Sequence, residues 1–140
     1  MSRPLGDVLA TAWGAAYALW GGLKLFYGLM TPTLCTPHPI AGYAMLAAAI
    51  ELVVGLCVCS ADTRRKGGIV GMAFNLGLIA AAFIADARSL PWEGCGCVFV
   101  GVEFPWLPGH AILAGALTLP FLAIVVRSER QLRQAGRSAA

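Results

Sequence analysis

The sequence predicts an all-α integral membrane protein, a four-transmembrane-helix up-and-down bundle with both termini cytoplasmic. Three observations carry that expectation. The 140 residues are 59% hydrophobic and 12% charged, with a mean hydropathy of +0.75, more apolar than a water-soluble domain can cover. Four stretches, about 8–29, 40–61, 67–85 and 107–126, reach the roughly 20 mainly apolar residues a helix needs to cross a hydrocarbon core. The cations, finally, fall in alternate connections. Short loops make sequential helices antiparallel neighbours, so residues 1–140 read as one membrane domain with a basic tail at 127–140.

The first span follows a six-residue N-terminus holding one arginine. It is longer than the apolar region of a secretory signal, Lys24 interrupts it, and no small-residue cleavage site followed by a mature domain is evident. It is therefore expected to be retained as a helix. The second and third spans are joined by Arg64, Arg65 and Lys66, and the fourth is followed by Arg127, Arg130, Arg133 and Arg137. The other two connections share a single arginine, Arg88. Cytoplasmic loops collect Lys and Arg, which places both termini inside and both weakly charged loops outside, in a multi-pass protein of a bacterial inner (cytoplasmic) membrane.

The net charge of +3 is accounted for by this asymmetry and gives no argument for nucleic acid as a partner. The lipid bilayer is the partner it points to, the basic tail being suited to anionic headgroups. Pro32, Pro37 and Pro39 mark the first outer loop as non-helical, and Pro91, Pro105 and Pro108 the second. Trp92 and Trp106 stand where interfacial aromatic anchors are expected.

The chemistry-bearing residues fall into two sets. Of the five cysteines, the topology puts Cys35, Cys95 and Cys97 outside and Cys57 and Cys59 toward the inner end of the second span. Cys95 and Cys97 flank Gly96 in "EGCGCVF". The glycine permits the tight bend such a pair needs to close a disulfide, and a ring that small is strained, hence readily exchanged. An oxidising outer compartment favours the chemistry. Two readings of Cys35 stay open: a third thiol that exchanges with the pair, or a static disulfide tying the two outer loops. A soft metal ion such as Cu(I) is a further reading of the outer thiols, but no His-rich or Met-rich tract accompanies them, and no metal site is assigned. Cys57 and Cys59, two apart on a helix, point to different faces and read first as small apolar core residues.

The second set is polar and lies within the spans. Counting back from the outer ends at 1.5 Å per residue, Lys24, Glu51 and Asn75 sit roughly 9, 16 and 15 Å deep. Charges at such depth are costly unless paired, so a contact between Lys24 and Glu51 with Asn75 nearby is expected. His110, near the start of the fourth span, completes the candidate polar cluster as a proton carrier near the thiols or as an interfacial helix-end residue. Tyr17, Tyr27 and Tyr43 add aromatic surface of the kind that borders a polar headgroup pocket. The sequence holds no haem or flavin motif.

Taken in order, the lysine in "WGGLKLFYGL", the glutamate in "AIELVVGL", the basic inner loop and the "CGC" before the last span resemble the DoxX-like membrane superfamily, most closely its MauE-type (methylamine utilisation) redox-associated branch. The resemblance covers all four spans and rests on Lys24, Glu51, Cys95, Gly96 and Cys97. It implies a four-helix membrane bundle and periplasmic thiol-disulfide chemistry that supports disulfide formation or maturation of a redox enzyme, with a periplasmic thiol protein as partner and a quinone as candidate oxidant. Where the branch continues "CGCFG", this chain has Val98, Phe99, Val100 and Gly101, and Cys35, Cys57 and Cys59 lie outside the shared pattern. Two other functions remain in view: an accessory subunit of a larger respiratory or quinol-oxidising membrane complex, and a soft-metal transporter passing an ion from outer to inner thiols.

Overall fold

A computed structural model describes the backbone of residues 5–30, 40–88 and 107–138, and the side chains of these except 27–30, 40–44, 82, 85, 86, 107–111, 113, 114 and 138. The described residues form four helices and no strand: α1 (Leu5–Met30), α2 (Ile40–Cys59), α3 (Arg64–Ala87) and α4 (Leu107–Ser138). Among the described residues no helix is long and apolar enough to cross a membrane.

Each helix begins and ends for a local reason. Asp7 stands in the first turn of α1, where a carboxylate complements the helix dipole. The turn after α2 is closed by Thr63, whose hydroxyl donates to the Cys57 carbonyl at 2.7 Å and whose own carbonyl accepts the Gly67 amide at 2.8 Å, which makes Thr63 the cap of α3. Two boundaries differ from the sequence expectation here. The helix α2 stops at Cys59 instead of residue 61, and α3 starts at Arg64 instead of residue 67, because Arg64 turns back to donate to the Val58 and Cys59 carbonyls at 3.0 and 3.4 Å. These are orphan acceptors at the end of α2, and the cation sits at the negative end of its dipole.

The segment expected as a basic tail is helical as far as Ser138, α4 continuing without a break from the apolar segment. Arg, Gln, Glu and Leu between 127 and 134 are all good helix formers. Pro108 occupies the first turn, where a missing amide costs nothing, while Pro120 lies inside the helix and cannot donate to the carbonyl four residues before it.

Neighbours in sequence pack antiparallel. The α1/α2 contact is the closest, because small residues face each other across it. A Cβ on Gly21 would lie 2.6 Å from the Leu52 amide nitrogen and 2.7 Å from the Ala48 carbonyl, and one on Gly55 would collide with the Ala18 backbone. Small side chains that let two backbones touch are a device of helices without a hydrophobic drive between them. The pair α3/α4 packs through Phe121, which fills the hollow at Gly71. By contrast α1 and α4 meet chiefly through rings: Phe121 lies edge-on to Tyr17, with centroids 4.9 Å apart, and to Trp13 at 6.0 Å.

The core this creates is small: Ala10, Tyr17, Ala18, Ala48, Val54, Val58, Phe121 and Ile124, with Glu51 and Asn75 buried among them. Large apolar side chains point outward on every helix, including Leu19 and Phe26 on α1, Val53 and Leu56 on α2, Leu76 and Phe83 on α3, and Leu119 and Leu122 on α4. Apolar side chains thus occupy both the core and much of the outer surface.

Candidate functional site

The polar centre is built on one face of α1. Tyr17, Gly21 and Lys24 recur at spacings of four and three, so they line up along the helix. Gly21 brings α2 against that face at Ala48, Glu51 and Leu52, which puts Glu51 within reach of Lys24. The ammonium donates to both carboxylate oxygens of Glu51 at 2.8 Å. The two side chains are only 11% and 7% exposed. Trp20, one turn before Lys24, presents its ring 5.7 Å from the ammonium, so the cation is held from two sides.

Two turns nearer the N-terminus of α1, the Tyr17 hydroxyl donates to the Asn75 side-chain carbonyl at 3.1 Å. This bond crosses from α1 to α3 as the ion pair crosses from α1 to α2. Asn75 is 1% exposed, and its amide nitrogen has no partner among the described residues. A buried donor left so costs roughly 1 to 3 kcal/mol, which makes Asn75 a group suited to an acceptor arriving from outside the chain.

The expected contact between Lys24 and Glu51 is therefore present, while Asn75 engages Tyr17 instead of joining the ion pair directly. His110 lies in the first turns of α4, its side chain outside the described residues. Cys35, Cys95 and Cys97 also lie outside the described residues. The helices fix where their segments attach. The antiparallel order brings the end of α1, the start of α2, the end of α3 and the start of α4 to the same end of the bundle. Lys24, six residues from the end of α1, belongs to that end.

Cys57 and Cys59 are free thiols and diverge as their spacing predicts. Cys57 abuts Gly67 of α3, whereas Cys59 donates to the Thr11 carbonyl of α1 at 3.5 Å. They do not converge on one ion, and among the described residues no group of three metal-ligating side chains comes together.

Sequence reasoning missed the inner polar cluster. Besides capping α2, Arg64 donates to Asp7 at 3.2 Å and to the Thr11 hydroxyl at 2.9 Å. Arg65 pairs with Glu129 of α4. The basic loop had been read for orientation alone. The signal available was Asp7, an acid in the one short segment that the topology places beside that loop. It also missed Tyr17 as a polar partner, although its spacing of seven from Lys24 puts both on one face.

Fold and site together define an antiparallel four-helix bundle with two polar residues, Glu51 and Asn75, in a small apolar core, large apolar side chains on its outside, and a buried lysine-glutamate pair near one end. Comparison with family models, with curated proteins and with solved structures finds no match for this chain.

Proposed function

We propose that the chain is a membrane-embedded thiol-disulfide redox protein of the DoxX-like, MauE-type kind, in which Cys95 and Cys97 exchange with a periplasmic thiol protein. The observation that carries this reading is the position of the buried Lys24–Glu51 pair: it lies beneath the bundle end from which both cysteine-bearing connections leave. The outer surface supports the bilayer as solvent, because Glu51 and Asn75 turned inward and large apolar side chains turned outward on all four helices lower the free energy in lipid and raise it in water. Within α2, Glu51 is the single charge among 20 residues.

In this mechanism a partner thiolate attacks one sulfur of the Cys95–Cys97 disulfide. A mixed disulfide forms and the other cysteine leaves as a thiolate. The partner's second thiolate then attacks the mixed disulfide, so the partner departs oxidised and the pair is left as a dithiol carrying two electrons and two protons. A quinone in the bilayer is the proposed acceptor that restores the disulfide, directly or through Cys35. The polar centre serves this chemistry by fixing α1 against α2 and α3 below the thiols, with the Asn75 amide and His110 as groups able to donate to a quinone oxygen.

The test is redox titration of the full chain in membranes, with thiols alkylated at each poise. Cys95 and Cys97 should titrate together as a two-electron couple that either serine substitution abolishes. Two thiols that stay reduced at every poise overturn the reading.

A second reading, an accessory subunit of a larger respiratory complex, is favoured by one observation. Gly77 on α3 and Gly115 on α4 have open space where a side chain would be, a surface suited to close approach of a neighbouring helix. Its mark is co-purification in a stable assembly whose activity survives Cys95→Ser.

A further inference from the structure

Helices α1 and α4 touch through Trp13, Tyr17 and Phe121 and part below them, leaving a groove of about 480 Å³ at the inner end of the bundle. Its walls are apolar where they approach the ring contact, with Leu9, Ala10, Ile124 and Val126, and cationic at the rim, with Arg127 and Arg130. Two of its lining side chains carry buried N–H groups without a partner among the described residues, Trp13 Nε1 and Arg127 Nε. Buried donors are nearly always satisfied, and both of these belong to side chains that line this groove.

Charge bookkeeping at this end gives the acceptor's sign. The Asp7 carboxylate is engaged by Arg64 at 3.2 Å and stands 4.0 Å from Arg127 Nε, too far for a hydrogen bond. Glu129 is taken by Arg65. Arg127 therefore shares an acid already committed elsewhere, and Arg130 has no ion pair among the described residues. An apolar cleft with two under-neutralised guanidinium groups at its mouth has the form of an anionic amphiphile: phosphate at the rim, hydrocarbon along the wall.

We propose that this groove binds one anionic phospholipid of the inner leaflet, its phosphate held by Arg127 and Arg130 and its first acyl segment against Leu9, Trp13 and Ile124. The inference shares the membrane placement of the proposed function but uses none of its thiols. The site gives the first arginines of the C-terminal extension a task distinct from that of Arg133 and Arg137, which are exposed farther along α4 and do not line the groove.

The experiment uses the full chain in a neutral detergent, titrated with phosphatidylglycerol or phosphatidylcholine and read by native mass spectrometry. One phosphatidylglycerol should bind in preference to phosphatidylcholine. The double variant R127Q/R130Q should weaken it about 30-fold, from roughly a factor of five per arginine, while R133Q/R137Q, with the same change in net charge, should not. Ala123→Trp, which keeps every charge and fills the groove, should also abolish selective binding. It carries the test if the double arginine variant fails to fold. Inorganic phosphate at millimolar concentration should not compete. Equal loss in the two arginine pairs, unimpaired binding to Ala123→Trp, or full competition by inorganic phosphate each overturns the proposal. Failure of the chain to sediment with membranes after alkaline extraction would instead count against the membrane reading itself, so the two failures are distinguishable.

Discussion

Lys24 and Glu51 make a prediction whose sign depends on which partner is removed. The ammonium meets both carboxylate oxygens at 2.8 Å, and Glu51 is 6% exposed near the middle of α2. Lys24→Met strands a carboxylate on a short side chain that reaches no boundary, and breaking a buried pair this way costs about 3 to 5 kcal/mol. Glu51→Leu strands the lysine instead. Its four-carbon stem can carry the charge toward the nearer bundle end, and the Trp20 ring still faces it, so about 2 kcal/mol is expected. The double variant leaves no buried charge and should cost no more than about 3 kcal/mol, giving an interaction energy of about 3 kcal/mol between the sites. The assay is reversible unfolding in mixed micelles, followed by helicity, for the four members of the cycle. Additive losses, or a larger loss for Glu51→Leu than for Lys24→Met, would refute the reasoning.

Three further outcomes follow from the same packing. Gly55→Leu should be the most damaging single change at the α1/α2 contact, at about 3 kcal/mol or more, because a Cβ there would collide with the Ala18 amide nitrogen, a closer approach to backbone than at Gly14 or Gly21; the same unfolding assay checks it, and Gly136→Leu, at a site with nothing nearby, should be near neutral. Asn75→Leu should cost about 1 to 3 kcal/mol by orphaning the Tyr17 hydroxyl, and adding Tyr17→Phe should recover much of it in thermal denaturation. Arg64→Ala should cost about 2 kcal/mol by removing the Asp7 pair and the bonds to two α2 carbonyls, visible as faster amide exchange at the Val58 to Ser60 turn.

How much of this could be read from the sequence depended on contrast. Lys24 and Glu51 were legible because a charge inside an apolar run has few stable fates, and depth along two antiparallel helices then pairs them. Asn75 was legible as a buried polar residue but not as the partner of Tyr17, since tyrosine in a span rich in aromatic and small residues reads equally as packing. The boundaries failed where one residue served two ends. Arg64 reads as a loop cation and an orientation signal, yet it begins α3 and caps α2 at once. The extension of α4 was missed for a related reason. An end to apolar periodicity was equated with an end to the helix, although propensity alone sustains the backbone through Arg127, Arg130 and Arg133. The groove between α1 and α4 has no linear signature at all, because it arises where these two helices, from opposite ends of the chain, meet chiefly at the rings of Trp13, Tyr17 and Phe121.

The most direct test of the central claim is side-specific thiol labelling. An impermeant maleimide is applied to intact spheroplasts and to inverted vesicles, with and without prior reduction, on a chain carrying Cys57→Ser, Cys59→Ser and a reporter at Gly136→Cys. The account predicts that Cys95 and Cys97 label in spheroplasts only after reduction, while the reporter labels only in inverted vesicles. Labelling of both from the same side, or of Cys95 and Cys97 without reduction at every oxidant level, would contradict it.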